Sequence, residues 1–247
     1  MILANNAAGF YLEAGDLIAA EHWAREAVRI AAETYPQDHP DLQLIWTTLA
    51  SIHALRGDLD RAEPLFRSAL FNIEKNLGPD HVEVGLAAAN LGEAYRLQHR
   101  PLQAIAMFRK AISVFEITPA LASRQILLAR SGLMVSLVET GREAEAEPLA
   151  TDILSKLDRV FPVDDPTLAT ILHNVAVVRL SQRDFVGART LCERSLAILE
   201  KLFGDESSRM ISTLRTYAAI ARSAKDKVKA KSIDARIMLL LRSTDRR

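Results

Sequence analysis

The chain has 247 residues, of which 49% are hydrophobic and 25% are charged, so it can build a continuous core, and disorder is excluded as its main state. Thirty-one basic residues balance thirty-one acidic ones, which excludes a global field that would draw the chain to nucleic acid or to an anionic membrane. No apolar run approaches the roughly 18 residues that span a bilayer, and strand-type alternation is missing.

Alanine recurs every 42 residues along the whole chain without an insertion or deletion, at Ala20, Ala62, Ala104, Ala146, Ala188 and Ala230. A second column with this period is small at five of its six positions, which are Ala8, Ala50, Gly92, Met134, Ala176 and Ala218. Small residues let two helix backbones approach closely, and larger ones would overpack the contact. The pattern predicts six helical hairpins, with the second column on the first helix of each pair and the alanine column on the second.

The turns of these hairpins follow in chain order. Gly15, Gly57 and Gly141 stand where a first helix must end, since glycine takes the left-handed conformation at low cost. The third turn reads His99-Arg100-Pro101, with proline at the first helical residue. Aspartate in the next column is predicted to cap the second helix, at Asp16, Asp58, Asp184 and Asp226. Loops at 36–40, 78–81, 118–119, 162–166 and 204–207 are predicted to stop one hairpin and cap the next.

The chain is therefore predicted to be all-α, an α-solenoid of six stacked helix pairs in a single array. We place the repeats at about 1–39, 40–81, 82–123, 124–165, 166–207 and 208–247. The last repeat carries Asp234 where an apolar residue is expected, so we expect it to act as a C-terminal cap with a solvent-facing side. Met1 begins inside a helix without a preceding cap, and we expect the natural protein to extend further upstream.

A period of 42 also suits HEAT and armadillo arrays, but the spacing of the side chains favours another family. Leu91, Gly92, Tyr95, Ala104, Phe108 and Ala111 fall at the offsets of the tetratricopeptide signature. The segments ANLGEAY (89–95), GDLDRAEPLFRSAL (57–70) and NLGPDHVEV (76–84) resemble the repeats of kinesin light chains and their bacterial relatives over nearly the whole chain. The resemblance implies a right-handed superhelix whose first helices line a concave groove that holds an extended peptide or partner segment.

Polar residues on those first helices are the candidate binding residues. Two adjacent columns supply them, with Asn6, Thr48, Asn90 and Asn174 in one and Ser131, His173 and Arg215 in the other. Asparagine offers a donor and an acceptor, so this ladder is predicted to grip the backbone amides of an extended chain. The alternative for Asn90 and Asn174 is a hydrogen bond to a neighbouring repeat. Glu93 and Arg96 either add charge selectivity or are solvated surface.

The sequence lacks the nucleotide-binding, zinc-protease and nucleophile-elbow motifs, so we expect no enzyme, no cofactor and no metal. His39 and His81 have no thiol or carboxylate cluster to complete four metal ligands. Arg179 and Cys192 depart from the signature: Arg179 either faces the groove or pairs with an acidic neighbour, and Cys192 is predicted to be a core residue. A lone cysteine and an N-terminus without a secretory lead predict a cytoplasmic protein.

Two functions remain open. The first is a scaffold or adaptor that binds a protein or peptide, and the second is a ligand- or peptide-sensing receptor domain whose effector domain is absent from this chain. Residues 1–44 hold seven acidic and two basic side chains, whereas residues 225–247 hold eight basic and three acidic ones. This asymmetry suggests a weak head-to-tail contact between copies that salt would screen, and the alternative is a solvated basic tail.

Overall fold

A computed structural model of the chain describes residues 1–36, 39–117 and 119–244. These residues form twelve α-helices, one three-residue 3-10 helix at Ser208–Met210 and no strand. The α-helices are α1 (Ile2–Ala14), α2 (Leu17–Thr34), α3 (Pro40–Leu55), α4 (Leu59–Leu77), α5 (Val82–Leu97), α6 (Pro101–Phe115), α7 (Pro119–Glu139), α8 (Glu143–Val160), α9 (Pro166–Ser181), α10 (Phe185–Phe203), α11 (Ile211–Ser223) and α12 (Lys227–Thr244). The all-α prediction is confirmed.

The chain divides into two compact units, Met1–Ala129 (unit 1) and Arg130–Arg247 (unit 2). In unit 1, α1 pairs with α2, α3 with α4 and α5 with α6, while α2 packs on α3 and α4 on α5. In unit 2, α9 pairs with α10 and α11 with α12, and α10 packs on α11. Each unit is therefore built from stacked helical hairpins, as an α-solenoid is. The division of the whole chain into one array of six repeats stays a prediction.

Both columns of small residues lie in the core. All six residues of the alanine column are buried, and so are all six of the second column, including Met134. At Gly92 the approach is so close that an added Cβ would lie 3.1 Å from the ring of Phe108 and 3.3 Å from the Cβ of Met107. The crossing of α5 over α6 therefore has no room for a larger side chain.

Gly15, Gly57 and Gly141 take positive φ angles of 82°, 78° and 72°, as the turn prediction requires. The other hairpin turns reach the same conformation without glycine, at His99, Arg183 and Lys225, whose φ angles are 55°, 62° and 62°. Left-handed conformation costs these residues more than it costs glycine, so the surrounding hairpin holds them there.

Three of the four predicted aspartate caps are made. Asp16, Asp184 and Asp226 each accept a hydrogen bond of 2.9 Å, from the amides of Ala19, Gly187 and Lys229. The prediction for Asp58 is wrong, because its carboxylate makes no capping bond and lies instead 3.3 Å from Arg61 and 4.0 Å from the ring of His53. Arg61 thus provides an alternative partner for this carboxylate.

The loops between hairpins also cap the following helix. Asp165 accepts from the amide of Thr167 at 2.7 Å, and the ring nitrogen of His81 accepts from the amide of Glu83 at 3.3 Å. Residues 37, 38 and 118 of the predicted loops lie outside the described residues. Within the described part of the chain, no helix combines the length and the apolar composition needed to cross a membrane.

Candidate binding face

The first helices of unit 1 lie side by side, since α1 packs on α3 and α3 on α5. Residues spaced by four, three and four positions share one side of a helix. On α3 this spacing selects Leu44, Thr48, Ser51 and Leu55, all of them exposed or half-buried. Together with the equivalent positions of α1 and α5, these residues form one surface, called here the unit 1 face. Its main members are Ile2, Asn6, Leu44, Thr48, Leu55, Leu86, Asn90, Glu93 and Leu97.

Polar side chains occupy the centre of the unit 1 face. Asn6 is exposed and Asn90 is half-buried, and neither amide forms a side-chain hydrogen bond within the described part of the chain. The hydroxyl of Thr48 donates to the carbonyl of Leu44 in its own helix at 3.1 Å. The donor and acceptor of Asn90 thus remain available to a bound chain.

Glu93 and Arg96 form a local ion pair at the edge of this centre. The carboxylate of Glu93 accepts from the guanidinium of Arg96 at 2.8 and 2.5 Å, along one turn of α5. Glu93 is about half exposed at its side chain, while Arg96 is more covered. Because the two charges compensate each other, this part of the face presents little net charge to a partner.

Leucine side chains border the polar centre on both sides, which the sequence analysis missed. Leu44 and Ile2 are exposed at the N-terminal ends of their helices, and Leu55 and Leu97 are exposed at the C-terminal ends. A contiguous exposed apolar patch marks a binding surface, and we take these two rows as the candidate for one. A signal was present in the sequence, because Leu44 and Leu86 are separated by one period of 42, as are Leu55 and Leu97.

In unit 2 the predicted residues are arranged differently. Ser131 is fully buried, and its hydroxyl accepts a hydrogen bond of 2.9 Å from the side-chain amide of Asn174. Burial removes Ser131 from the residues that a partner can contact in this conformation. Asn174 makes the bond to a neighbouring repeat that the alternative interpretation predicts, whereas its binding role stays a prediction.

The remaining residues predicted in unit 2 are not bordered by rows of exposed leucine, as the polar centre of the unit 1 face is. His173 is half-buried on α9 and Arg215 is exposed on α11, which packs on α9. The positions equivalent to the leucine rows carry exposed polar side chains here, at Glu139, Thr170, Ser181, Ser212 and Ser223. The two units therefore offer surfaces of different chemistry.

Arg179 and Cys192 have structural roles. The guanidinium of Arg179 donates to the carboxylate of Glu147 at 2.9 and 3.0 Å, so the pairing alternative is the one observed. Burial alone would raise the pKa of Glu147, but hydrogen bonds from Gln182 and Arg179 outweigh it and hold this pKa below its ordinary value. Cys192 is buried, which raises the pKa of its thiol to about 12.

The two loop histidines have local roles. The ring of His39 stacks on that of Tyr35 with centroids 4.0 Å apart, and His81 caps α5. Across residues 1–36, 39–117 and 119–244, no group of three His, Cys, Asp or Glu side chains could hold a metal ion.

Helical hairpins with methyl-sized contacts at their crossings define the class of protein, an α-solenoid of paired helices. The family model of the tetratricopeptide repeat matches residues 1–70, 41–117 and 167–237, which is more than half of the chain. The chain belongs to the tetratricopeptide repeat family, as the signature spacing predicts. No curated protein sequence matches the chain.

Solved structures of other proteins share this fold. BtubC (BKLC) from P. vanneervenii is 21% identical, with a TM-score of 0.64 over 93% of this chain and 91% of that one. A second structure is that of a protein from Podosopora anserina that is assigned as a kinesin light chain and has TPR-like repeats nearly identical to one another. It is 19% identical to this chain, with a TM-score of 0.60 over 81% of this chain and 95% of that one. NprR in complex with its cognate peptide NprX is 16% identical, with a TM-score of 0.71 over 97% of this chain and 71% of that one.

Proposed function

We propose that the protein is a non-enzymatic scaffold that binds an extended segment of a protein partner on the unit 1 face. The observation that carries this proposal is the half-buried amide of Asn90, which has no side-chain hydrogen bond within the described residues and lies between two rows of leucine. A partly buried amide gains most from a partner that supplies both a donor and an acceptor. The backbone of an extended peptide supplies both.

The two leucine rows add a preference for apolar side chains. Leu44 and Leu55 are eleven residues apart on α3, a distance of about 16 Å along the helix axis. Successive side chains of an extended chain point in opposite directions. A peptide that crosses the first helices over Thr48 and Asn90 would therefore direct alternate side chains toward each row. We infer a preference for segments with apolar residues at both odd and even positions.

Peptides selected from a random display library on the immobilised chain would test this proposal. For the selected peptides we expect Asn90→Ala to weaken binding about three- to tenfold in calorimetry, because one net hydrogen bond is lost. Leu55→Asp should weaken it at least as much, since it places a charge in an apolar row. Asn76→Ala is the matched control, because Asn76 is exposed on the second helix α4 and lies outside this face, so the affinity should stay unchanged. Equal binding by all three variants would contradict the assignment of the unit 1 face.

A second candidate is a peptide-sensing receptor domain. The similarity to NprR in complex with its cognate peptide, over 97% of this chain, favours it. A sensor must bind its ligand more tightly in one conformation than in another, whereas a scaffold need not. Small-angle scattering with and without a selected peptide separates the two, because only the sensor is expected to change its radius of gyration on binding.

We also infer the kind of partner and the cellular compartment. The partners are proteins or peptides and not nucleic acid or membrane, because the chain carries no net charge. We place the protein in the cytoplasm, which the single cysteine favours.

A further inference from the structure

Two neighbouring hairpin turns of unit 2 carry an excess of basic side chains. The first is the α9–α10 turn with the start of α10 (182–189), and the second is the α11–α12 turn with the start of α12 (224–231). Together they hold six basic and two acidic residues. Because α11 packs on α9 and on α10, the two turns lie side by side, about 10 Å apart. We call this surface the basic edge. Its basic residues are all exposed, and they are Arg183, Arg189, Lys225, Lys227, Lys229 and Lys231.

The repeat itself does not require positive charge at these positions. The equivalent segments hold two acidic residues at 14–21, two basic and three acidic ones at 56–63, and one basic and three acidic ones at 140–147. The segment at 98–105 holds one basic residue and no acidic one. Positive charge on two adjacent turns is therefore specific to the basic edge.

Within the described part of the chain, three cations of the basic edge form no ion pair, namely Arg183, Lys225 and Lys227. The two acids of the edge, Asp184 and Asp226, are already engaged as helix caps, since each accepts an amide hydrogen bond at 2.9 Å. Most cations elsewhere in the described part of unit 2 do pair with an acid, for example Arg142, Arg179 and Arg236. The basic edge thus keeps charges that are available to a partner.

Two of these cations lie where the backbone favours glycine. Arg183 and Lys225 both have a φ angle of 62°, and the equivalent position of the preceding turn is Gly141. A cation at this place gains from the dipole at the end of the first helix, which offsets part of the conformational cost. The dipole gives no such gain to Lys227 and Lys229, because they lie in the first turn of α12, where it disfavours positive charge. Charges that oppose local stability are expected at a functional surface.

Two exposed valines lie among these charges. Val186 is 67% exposed and Val228 is 84% exposed, and each is the second residue of its helix. The helix of Val186, α10, packs on both α9 and α11, so a hairpin with neighbours on both sides still leaves this side chain uncovered. The basic edge therefore combines positive charge with a small apolar contact surface.

We propose that the basic edge binds an acidic segment of a partner protein in which carboxylates are interspersed with apolar side chains. The carboxylates pair with Arg183, Lys225 and Lys227, and the apolar side chains pack on the two valines. Nucleic acid fits this surface less well, because base stacking needs an exposed aromatic ring and Phe185, the one aromatic residue of these segments, is half-buried. An anionic membrane fits less well too, since two valines bury little area in lipid.

A labelled synthetic peptide tests the proposal by fluorescence anisotropy. The probe consists of three copies of Glu-Leu-Asp-Glu-Val, and we expect it to bind the chain at low salt. Binding should weaken strongly at about 0.5 M salt, where surface charges are screened within a few ångströms. The same peptide with Gln for Glu and Asn for Asp is the uncharged control. Equal binding of the two peptides, or no binding of the acidic one, would overturn the proposal.

The basic edge and the unit 1 face can be tested separately. Measurements in the Leu55→Asp variant place a charge in a leucine row of the unit 1 face and remove its contribution to binding. The affinity for the acidic probe should be the same in this variant as in the wild type. Loss of probe binding in Leu55→Asp would place the acidic peptide on the unit 1 face and overturn the basic edge as its site.

Glycine can replace the two left-handed cations without disturbing the fold. Arg183→Gly and Lys225→Gly each remove one charge and introduce the residue that this conformation favours, so the melting temperature should not fall. We expect each to weaken binding of the probe about two- to fivefold, and both together about tenfold. Arg159→Gln is the control, because Arg159 is exposed at the C-terminal end of α8, away from the hairpin turns. Equal effects of Arg159→Gln and Lys225→Gly would overturn the assignment of the site.

Val228→Ser tests the apolar contact. It should weaken binding of the probe about two- to fivefold, because an apolar contact is lost while every charge remains. Leu102→Ser is the matched control, since Leu102 holds the same position of the repeat in unit 1 and is 68% exposed there. A Val228→Ser variant that binds as tightly as the wild type would overturn the preference for apolar side chains.

Other polyanions test the class of partner. Phosphatidylserine vesicles and single-stranded oligothymidylate compete with the labelled probe, and an unlabelled peptide of the same sequence is the reference competitor. We expect the peptide to displace the probe at the lowest concentration of negative charge. Displacement by the vesicles or the oligonucleotide at a lower concentration than the peptide would overturn the assignment to a protein partner.

Discussion

The side-chain amide of Asn174 lies 2.9 Å from the buried hydroxyl of Ser131, so a polar pair joins two first helices of unit 2, α7 and α9. Removing one partner leaves the other buried and unsatisfied, which costs more than the bond itself gains. We expect Asn174→Ala to lower the free energy of unfolding by about 1–2 kcal/mol. Urea denaturation measures the difference.

Asn90→Ala is the matched variant for this prediction, because Asn90 holds the same position of the repeat 84 residues earlier and has no such partner among the described residues. Its stability should stay within about 0.5 kcal/mol of the wild type. In a double-mutant cycle, Asn174→Ala and Ser131→Ala should show a coupling energy that differs from zero. Additive effects of the two changes would show that the bond contributes nothing.

The fold was predictable from the sequence because the same packing constraint recurs every 42 residues. Close helix crossings exclude all but small residues, so the positions of Ala104, Ala188 and their equivalents carry the register of the whole chain. Details that depend on tertiary neighbours were not predictable. Asp58 stands in the same column as the capping aspartates, yet its carboxylate lies beside Arg61 and makes no capping bond. Local propensity alone does not contain that competition.

The candidate site was predictable only in part. Helical spacing indicates which residues share a side of a first helix, and Asn6, Thr48 and Asn90 do lie on an accessible side. Spacing does not reveal which polar side chains find a partner inside the protein. Ser131 and Asn174 belong to the predicted columns, but they bond to each other because two first helices bring them together.

The burial of His53 predicts that the protein loses stability in acid. Burial lowers the pKa of this ring below its ordinary value of 6.5, against the opposing charges of Glu21 and Asp58. The folded chain therefore binds fewer protons at His53 than the unfolded chain does. The contribution of His53 to stability is complete above about pH 6.5 and is lost as the pH falls toward the lowered value. We expect the melting temperature to fall between about pH 7 and pH 5.

His53→Tyr isolates this contribution, because Tyr11 and Tyr95 occupy the same position in the neighbouring repeats. Carboxylates elsewhere also lose ion pairs in acid, so the difference between the two proteins is the informative quantity. The variant should lose less stability than the wild type over this pH range. Parallel pH profiles for the two proteins would rule out a role for His53.

At Ala104, a larger residue at the helix crossing should reduce the stability of the fold. It is fully buried on α6, where α5 approaches closely. Ala104→Leu should reduce the free energy of unfolding by about 1–3 kcal/mol through overpacking. Ala106→Leu is the control, since Ala106 is exposed on the same helix and should change stability by less than about 0.5 kcal/mol. Equal effects of the two substitutions would indicate that the crossing tolerates larger side chains.

Cys192 is the only cysteine in the sequence, and its burial predicts that its thiol reacts slowly. Because burial raises its pKa to about 12, the thiol is protonated at neutral pH, and the thiolate is the form that reacts. We expect iodoacetamide to leave Cys192 unmodified in the native protein and to alkylate it fully in urea. Mass spectrometry after timed exposure measures the rate, and Cys192→Ser provides the unlabelled control. Rapid alkylation of the folded chain would mean that α10 opens often enough to expose its buried side.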